Sequence, residues 1–252
     1  MDLKSFIRRL VRKFGYDAVD TRRFDRAMGA EASWPSHGKF LSYLMESVVA
    51  DSQTPCLLQI GANDAVKDNF TSEWLERSGM RIALVEPNPS CVEKLRRKFE
   101  DKPNVVILPY ALDSEKRQAG FYLFDAAEEK GIQLDVFSSF DRDLLEEKKR
   151  CFGLNSGIVA IDVPCDSMEG LSRLAGVEEW DIVVSDVEGF DHEVVRQVCA
   201  LALPPSLFVF EHSWLIPEVR KACYRKLENR GYAILAGAYD TIAFRPPERC
   251  VD

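Results

Sequence analysis

The sequence is notable first for what it lacks. No apolar run approaches the roughly 20 residues needed to cross a bilayer, which excludes a membrane-spanning helix. The seven cysteines, at positions 56, 91, 151, 165, 199, 223 and 250, include no CxxC pair and are odd in number, so neither a disulfide frame nor a zinc knuckle is expected. An excess of basic residues is missing too. Lys and Arg total 33 against 41 Asp and Glu, and a net charge of -8 argues against a nucleic-acid partner. The opening MDLKSFIRRLVRKFGYD lacks the uninterrupted apolar centre and small-residue cleavage site of a secretory signal, and together with the unpaired cysteines this leads to a cytoplasmic expectation. There is no internal repeat and no low-complexity tract.

What is present reads as one α/β domain over residues 53–252, preceded by a helical extension over 1–52. Leu3, Phe6, Ile7, Leu10, Val11 and Phe14 recur at helical spacing, with Lys4, Arg8, Arg9, Arg12 and Lys13 around them. Such a basic amphipathic helix either lies on an anionic membrane surface or packs on its own domain, and packing is the commoner outcome. Residues 15–36 read as a linker, and a second helix is expected over 37–51 with Ser36 as its cap.

From Cys56 onward short apolar runs alternate with helical stretches: CLLQI, then a helix near 69–78; RIALVE, then PSCVEKLRRKFE; NVVILPY, then a short strand GFYLF. After a polar interval over 125–157 come GIVAIDVP, a helix from Ser167, WDIVVSD, a helix near 190–202, SLFVFEH, and PEVRKACYRKLENRG. Alternation of this kind predicts parallel strands joined by crossover helices, a doubly wound sheet. GYAILAGAYDTIAFRP instead predicts a terminal antiparallel hairpin.

Doubly wound sheets bind ligands at the carboxyl ends of their strands. The first strand ends in Gly61-Ala62-Asn63-Asp64, where only Gly61 matches the GxGxxG of a dinucleotide turn. Asp64 and Asp68 would repel a pyrophosphate and suit a positively charged ligand such as S-adenosylmethionine, which carries a sulfonium, an ammonium and no phosphate. Glu86 closes the second strand, where a carboxylate accepts hydrogen bonds from both ribose hydroxyls of a nucleoside. The fourth strand runs into Asp186, Glu188 and Asp191, a cluster that demands a cation or hydrogen-bond donors; Asp191 also reads as a helix cap and Glu188 as a solvated residue. The fifth ends in Glu211-His212, and His212 is the general-base candidate for an alcohol acceptor.

QIGANDAVKDN, LVEPNPSCVEKLRRKF, SSF at 138–140, SDVEGFDHEVV and FEHSWL, in that order, resemble the FkbM-type S-adenosylmethionine-dependent methyltransferases over about residues 55–245. The resemblance implies a Rossmann-like class I methyltransferase fold: a seven-stranded, mostly parallel sheet whose last strand is antiparallel. It also implies methyl transfer to a hydroxyl of a glycan, sugar or related natural product. By position, Gly61, Ala62, Asn63 and Asp64 would surround the amino-acid end of the cofactor, Glu86 and Pro87 its ribose, and Ala111 its adenine. Asp186 and Glu188 would lie under the methyl and the acceptor. Ala65 stands where relatives often carry glycine, and Tyr110 where asparagine is frequent.

Carboxylates at Asp186, Glu188 and Glu211 also match a Mg²⁺ ligand set, and the sequence does not separate metal binding from direct contact with the acceptor. The competing expectations are a non-catalytic scaffold of the same fold, docking through residues 3–14, and a nicotinamide-dependent oxidoreductase, which the missing glycines disfavour.

Overall fold

The structure is a computed structural model and describes residues 34–65, 72–75 and 79–245. The basic helix expected over residues 3–14, Asp68 and most of the linker lie outside the described residues. The chain enters through α1 (Trp34–Asp51), which begins three residues earlier than the Ser36 cap predicts. Pro35 is tolerated there because the first-turn N–H groups of a helix have no intrahelical acceptor to lose. Then follow β1 (Cys56–Ile60), α2 (Ser72–Leu75), β2 (Arg81–Val85), α3 (Pro89–Lys98) and β3 (Val105–Leu108). Next come β4 (Ala111–Leu112), β5 (Arg117–Phe124), β6 (Glu128–Glu129), β7 (Ile132–Gln133), β8 (Ser138–Ser139), α4 (Arg142–Phe152) and β9 (Ile158–Asp166). The chain closes with α5 (Met168–Ala175), β10 (Ile182–Ser185), α6 (Asp191–Ala200), β11 (Leu207–Glu211), α7 (Pro217–Asn229), β12 (Ala233–Ala236) and β13 (Asp240–Phe244).

The main sheet has seven strands in the order β12-β13-β11-β10-β1-β2-β3. All pairs from β11 to β3 are parallel, and β13 runs antiparallel to both its neighbours. This is the Rossmann-like class I arrangement, with the terminal hairpin wedged so that β13 lies inside β12. The strands read as continuous apolar runs because helices cover both faces. Leu58, Ile60, Val183, Phe208 and Phe210 pack under α5, α6 and α7. Leu57, Ile182, Val184, Leu207 and Val209 point the other way, against α1, α2 and α3. Through Leu41, Leu44, Met45 and Val48, α1 shares that core, although the expected boundary after residue 52 falls in the turn that follows it.

The segment between β3 and α5 departs from simple alternation. GFYLF and GIVAIDVP do not extend the parallel sheet; as β5 and β9 they pair antiparallel in a second sheet of order β4-β9-β5-β8. The polar interval over 125–157 adds β6, β7, β8 and the helix α4. Asp141 caps α4 by accepting from the Asp143 N–H, and Gly153 ends it in the left-handed conformation. Among the described residues no helix is long and apolar enough to cross a membrane, and the six described cysteines are free thiols.

Candidate active site at the strand ends

A cavity of about 480 Å³ opens over the carboxyl ends of β1, β2 and β10, where the crossover direction reverses. Of the expected residues, Gly61, Asn63, Glu86, Pro87, Ala111, Asp186 and Glu188 line it. Gly61 is demanded by two separate constraints. Its φ is +76°, and a Cβ built there would stand 1.8 Å from the carbonyl oxygen of Asp186. The turn is therefore pressed against the end of β10, with the N–H groups of Gly61 and Ala62 both donating to the Val85 carbonyl.

Glu86 is 4% exposed, and each carboxylate oxygen accepts one backbone N–H at 2.8 Å, Oε2 from Asn63 and Oε1 from Asn88. A carboxylate offers about four lone-pair sites, so about two remain for a ligand in the cavity. Burial pushes its proton affinity up, only partly countered by these two N–H groups, to a pKa of about 7.

Two expectations at this turn need correction. Ala62 does not face the cavity; it is fully buried in the core beneath β1. Asp64 turns its carboxylate to Gln133 Nε2 at 2.7 Å, with Lys94 Nζ at 3.8 Å, so it anchors the cavity wall and does not line it. Among the described residues the negative potential of the cavity thus comes from carboxylates other than Asp64.

Most of those carboxylates gather at the far end. Asp186 presents its surface to the cavity yet is crowded by protein atoms, and this crowding raises its pKa above the ordinary carboxylate range. Glu188 sits at φ +52°, a left-handed conformation that costs a non-glycine residue about 1–2 kcal/mol, and its carboxylate pairs with Lys148 at 2.5 Å. Burial, then the charge of Asp186, raises Glu188 to about 7 even with the lysine beside it. Lys148 is 2% exposed and lies 4.3 Å from the ring centroids of both Phe137 and Trp214, a desolvated cation held by two aromatic faces. Glu188 is therefore not a solvated residue.

Asp191 is not the cap of α6. It is the first residue of that helix, fully buried, and its carboxylate turns back to accept from Ser185 Oγ at 2.6 Å and the Val187 N–H at 3.3 Å, bracing the loop that carries Glu188. Glu211 accepts from Ser213 Oγ through one oxygen, and the other is buried without a partner. Burial and the nearby charges of Asp186 and Glu188 push it to about 10. At neutral pH Glu211 is then protonated, and a proton on the orphan oxygen gives it a donor for Asp186. Asp186, Glu188 and Glu211 offer ligand atoms within 4.8 Å of one another.

His212 does not reach the cavity. Successive residues of a strand point to opposite faces, and His212 shares the face of Phe210, against Tyr224 of α7. Its Nδ1 is 2.8 Å from Thr241 Oγ1, it is 3% exposed, and burial lowers its pKa to about 4. The general-base role expected of it is withdrawn on these grounds. Asp240, by contrast, lines the cavity and is raised to about 7 by burial and the charge of Asp186. Its carboxylate has no hydrogen bond or ion pair among the described residues. It lies directly opposite Glu211 in the β11–β13 register.

Three further residues escaped the sequence: Gln133, Asp135 and Lys148. Gln133 and Asp135 line the cavity from the inserted segment. Lys148 carried a legible signal, since it follows Leu145 at helical spacing on the buried face of α4. SSF at 138–140 gains a structural meaning as well. Ser139 Oγ donates to the Glu188 carbonyl, and Phe140 packs between Phe121 and Phe190, each ring centroid 5.2 Å away.

No family model and no curated protein matches the chain in sequence. Solved structures resemble it in fold. A precorrin-6y C5,15-methyltransferase from Geobacter metallireducens GS-15 is 13% identical with a TM-score of 0.41, covering 82% of this chain and 88% of that one. Methyltransferase FkbM from Methylobacillus flagellatus KT is 7% identical with a TM-score of 0.45, covering 76% of this chain and 44% of that one. Aeropyrum pernix fibrillarin, solved with natively bound S-adenosyl-L-methionine, is 15% identical with a TM-score of 0.42, covering 82% and 73%. At these scores the likenesses carry no functional argument of their own.

Proposed function

We propose that the chain is an S-adenosylmethionine-dependent O-methyltransferase acting on a hydroxyl of a glycan, sugar or related natural product. The observation that carries this reading is Glu86, buried at a glycine turn, fixed by two backbone N–H groups and left with acceptor capacity facing a cavity whose opposite end is acidic. Glu86 would take the ribose hydroxyls. The backbone around Gly61 and Asn63 would hold the amino-acid end, and the carboxylates beyond would attract the sulfonium and ammonium charges. The cofactor supplies an electrophilic methyl group.

The protein's own contribution is alignment and proton handling. Phe121, Phe137, Phe140 and Phe190 give apolar faces beside Asp186, Glu188 and Asp240, a combination suited to a sugar ring with its apolar face and its hydroxyls. Asp186 and Glu211 are occupied with each other, Glu188 with Lys148, and Asp191 with the loop. Asp240 is the uncommitted carboxylate at this end, and it accepts the proton of the acceptor hydroxyl.

A second reading, favoured by the spacing of Asp186, Glu188 and Glu211, is a Mg²⁺ ion bridging them. Lys148 already pairs with Glu188, and a proton neutralises Glu211, so only the charge of Asp186 is left at the cluster, little to hold a divalent cation. Calorimetric titration with MgCl₂ separates the two.

Isothermal titration with S-adenosylhomocysteine tests the main reading: the wild type binds, and Glu86→Ala weakens binding at least about tenfold. No binding by the wild type removes it. With an acceptor from a panel of glycosides and radiolabelled methyl donor, Asp240→Asn lowers turnover by about 10²–10⁴-fold at unchanged cofactor affinity.

A further inference from the structure

Lys94 of α3 is not among the residues that line the cavity, yet it reaches both of the walls that form it. Its Nζ pairs with Asp135 of the inserted segment and stands 3.8 Å from the carboxylate of Asp64 on the glycine turn. Both carboxylates are largely buried whereas the lysine is 42% exposed, so the cation comes to them from the solvent side. Without it two like charges would face each other out of water, which is repulsive as well as costly in lost hydration. A hydrogen bond joins the same two walls, Gln133 Nε2 donating to Asp64 at 2.7 Å.

These contacts continue into a closed circuit. The Asp64 N–H donates to Asn63 Oδ1 at 2.7 Å, and the Asn63 N–H donates to one oxygen of Glu86. On the other side the Asp135 carbonyl accepts from Asn88 Nδ2 at 3.1 Å, and the Asn88 N–H donates to the second oxygen of Glu86. Glu86, the glycine turn, α3 and the inserted segment are thus linked in one ring, to which Lys94 supplies the cation. Lys98, one helical turn further along α3, donates to the Ala65 carbonyl, a contact with the glycine turn and not with the inserted segment.

We propose that Lys94 is a positioning residue for the cofactor site: it locks the inserted wall at residues 132–137 to the turn at residues 62–65, and through Asn63 and Asn88 it holds the Glu86 carboxylate in place. This rests on the S-adenosylmethionine reading above. A residue outside the cavity lining then controls cofactor affinity, and the wall offered to the acceptor, Phe137 included, is set by the same lock.

Isothermal titration of the full chain with S-adenosylhomocysteine, combined with hydrogen exchange of the unliganded chain, tests the assignment. Lys94→Met weakens binding about fivefold or more and raises exchange over residues 62–65 and 132–137 together. Lys94→Arg, whose guanidinium can span two carboxylates, keeps the wild-type affinity and exchange. Lys98→Met, which frees the turn alone, leaves exchange over 132–137 at the wild-type level. Wild-type affinity in Lys94→Met, failure of Lys94→Arg to rescue, or exchange raised equally throughout the main sheet, the mark of a general loss of stability, each overturns the assignment while the cofactor reading stands. If the wild type does not bind S-adenosylhomocysteine, the cofactor reading fails and takes this one with it.

Discussion

The turn after β1 and the segment between β5 and β9 face one another across the cavity, and they are held by different forces. The turn is fixed by main chain: Gly61 and Ala62 donate to Val85, Asp186 donates to Ile60, and the strands beneath are wholly buried apolar runs. The inserted wall is held to the framework through side chains, with Gln133 on Asp64, Asp135 on Lys94 and Lys148 on Glu188. Main-chain bonds survive most substitutions, whereas a side-chain pin is lost with one. A framework of the first kind suits a ligand that does not change, and a wall of the second kind can be refitted to different acceptors.

The acidic cavity between the two regions gives the largest effect. Glu86, Glu188 and Asp240 have folded pKa values of about 7, above their unfolded values near 4. Groups raised in this way stabilise fully below the unfolded pKa, and that stability is lost as pH rises through about 7. His212, lowered to about 4, acts in the opposite sense, losing its contribution as pH falls from about 6.5 to 4. Three carboxylates outweigh one histidine, so the unliganded protein should lose on the order of 7 kcal/mol between about pH 4.5 and pH 7.5. Thermal melts across that range check the sign. A cationic ligand favours the ionised carboxylates, so its binding should release protons, seen as a buffer-dependent binding enthalpy.

Breaking the framework should have the next effect. Gly61→Ala drives a methyl group into the Asp186 carbonyl at a left-handed φ, and should cost about 4 kcal/mol and eliminate binding of S-adenosylhomocysteine. Denaturant unfolding and calorimetry measure the two losses.

Cutting one pin of the inserted wall should do less. Lys148→Met keeps the contact with Phe137 and Trp214 but leaves Glu188 without its cation, at a cost of about 2 kcal/mol, limited because Glu188 can take up a proton. Hydrogen exchange should rise in α4 and leave β1 and β10 unchanged. Equal exchange in both would erase the distinction drawn between the two regions.

The smallest effect is expected at Ala65. Its φ of +51° is a conformation that glycine adopts freely, yet its methyl group is buried. Relief of left-handed strain in Ala65→Gly is offset by lost burial and added chain entropy, and the net change should stay within about 1 kcal/mol.

Legibility followed the same division. CLLQI, RIALV and IVVS announced buried parallel strands, and the glycine turn and Glu86 could be located from strand ends alone. His212 was misplaced because one position along a strand reverses the face, and the strand-end rule does not say which face looks into the cavity. Asp135 and Asp240 were missed for a related reason. Asp135 sits in a segment without periodicity, and Asp240 becomes part of the site through the register that sets it opposite Glu211.

From the order of residues alone came the alternation of elements and the apolar strand cores, because each depends on forces acting within a few residues, and with them the positions of Gly61 and Glu86 at the strand ends. The tertiary structure decided which carboxylates share the cavity, which of them are neutralised, and which remains free. Proton affinity and pairing depend on groups far apart in the chain, as Lys148 with Glu188 and Asp240 beside Asp186 illustrate. Those neighbours exist only after the inserted segment and the terminal hairpin have closed over the sheet.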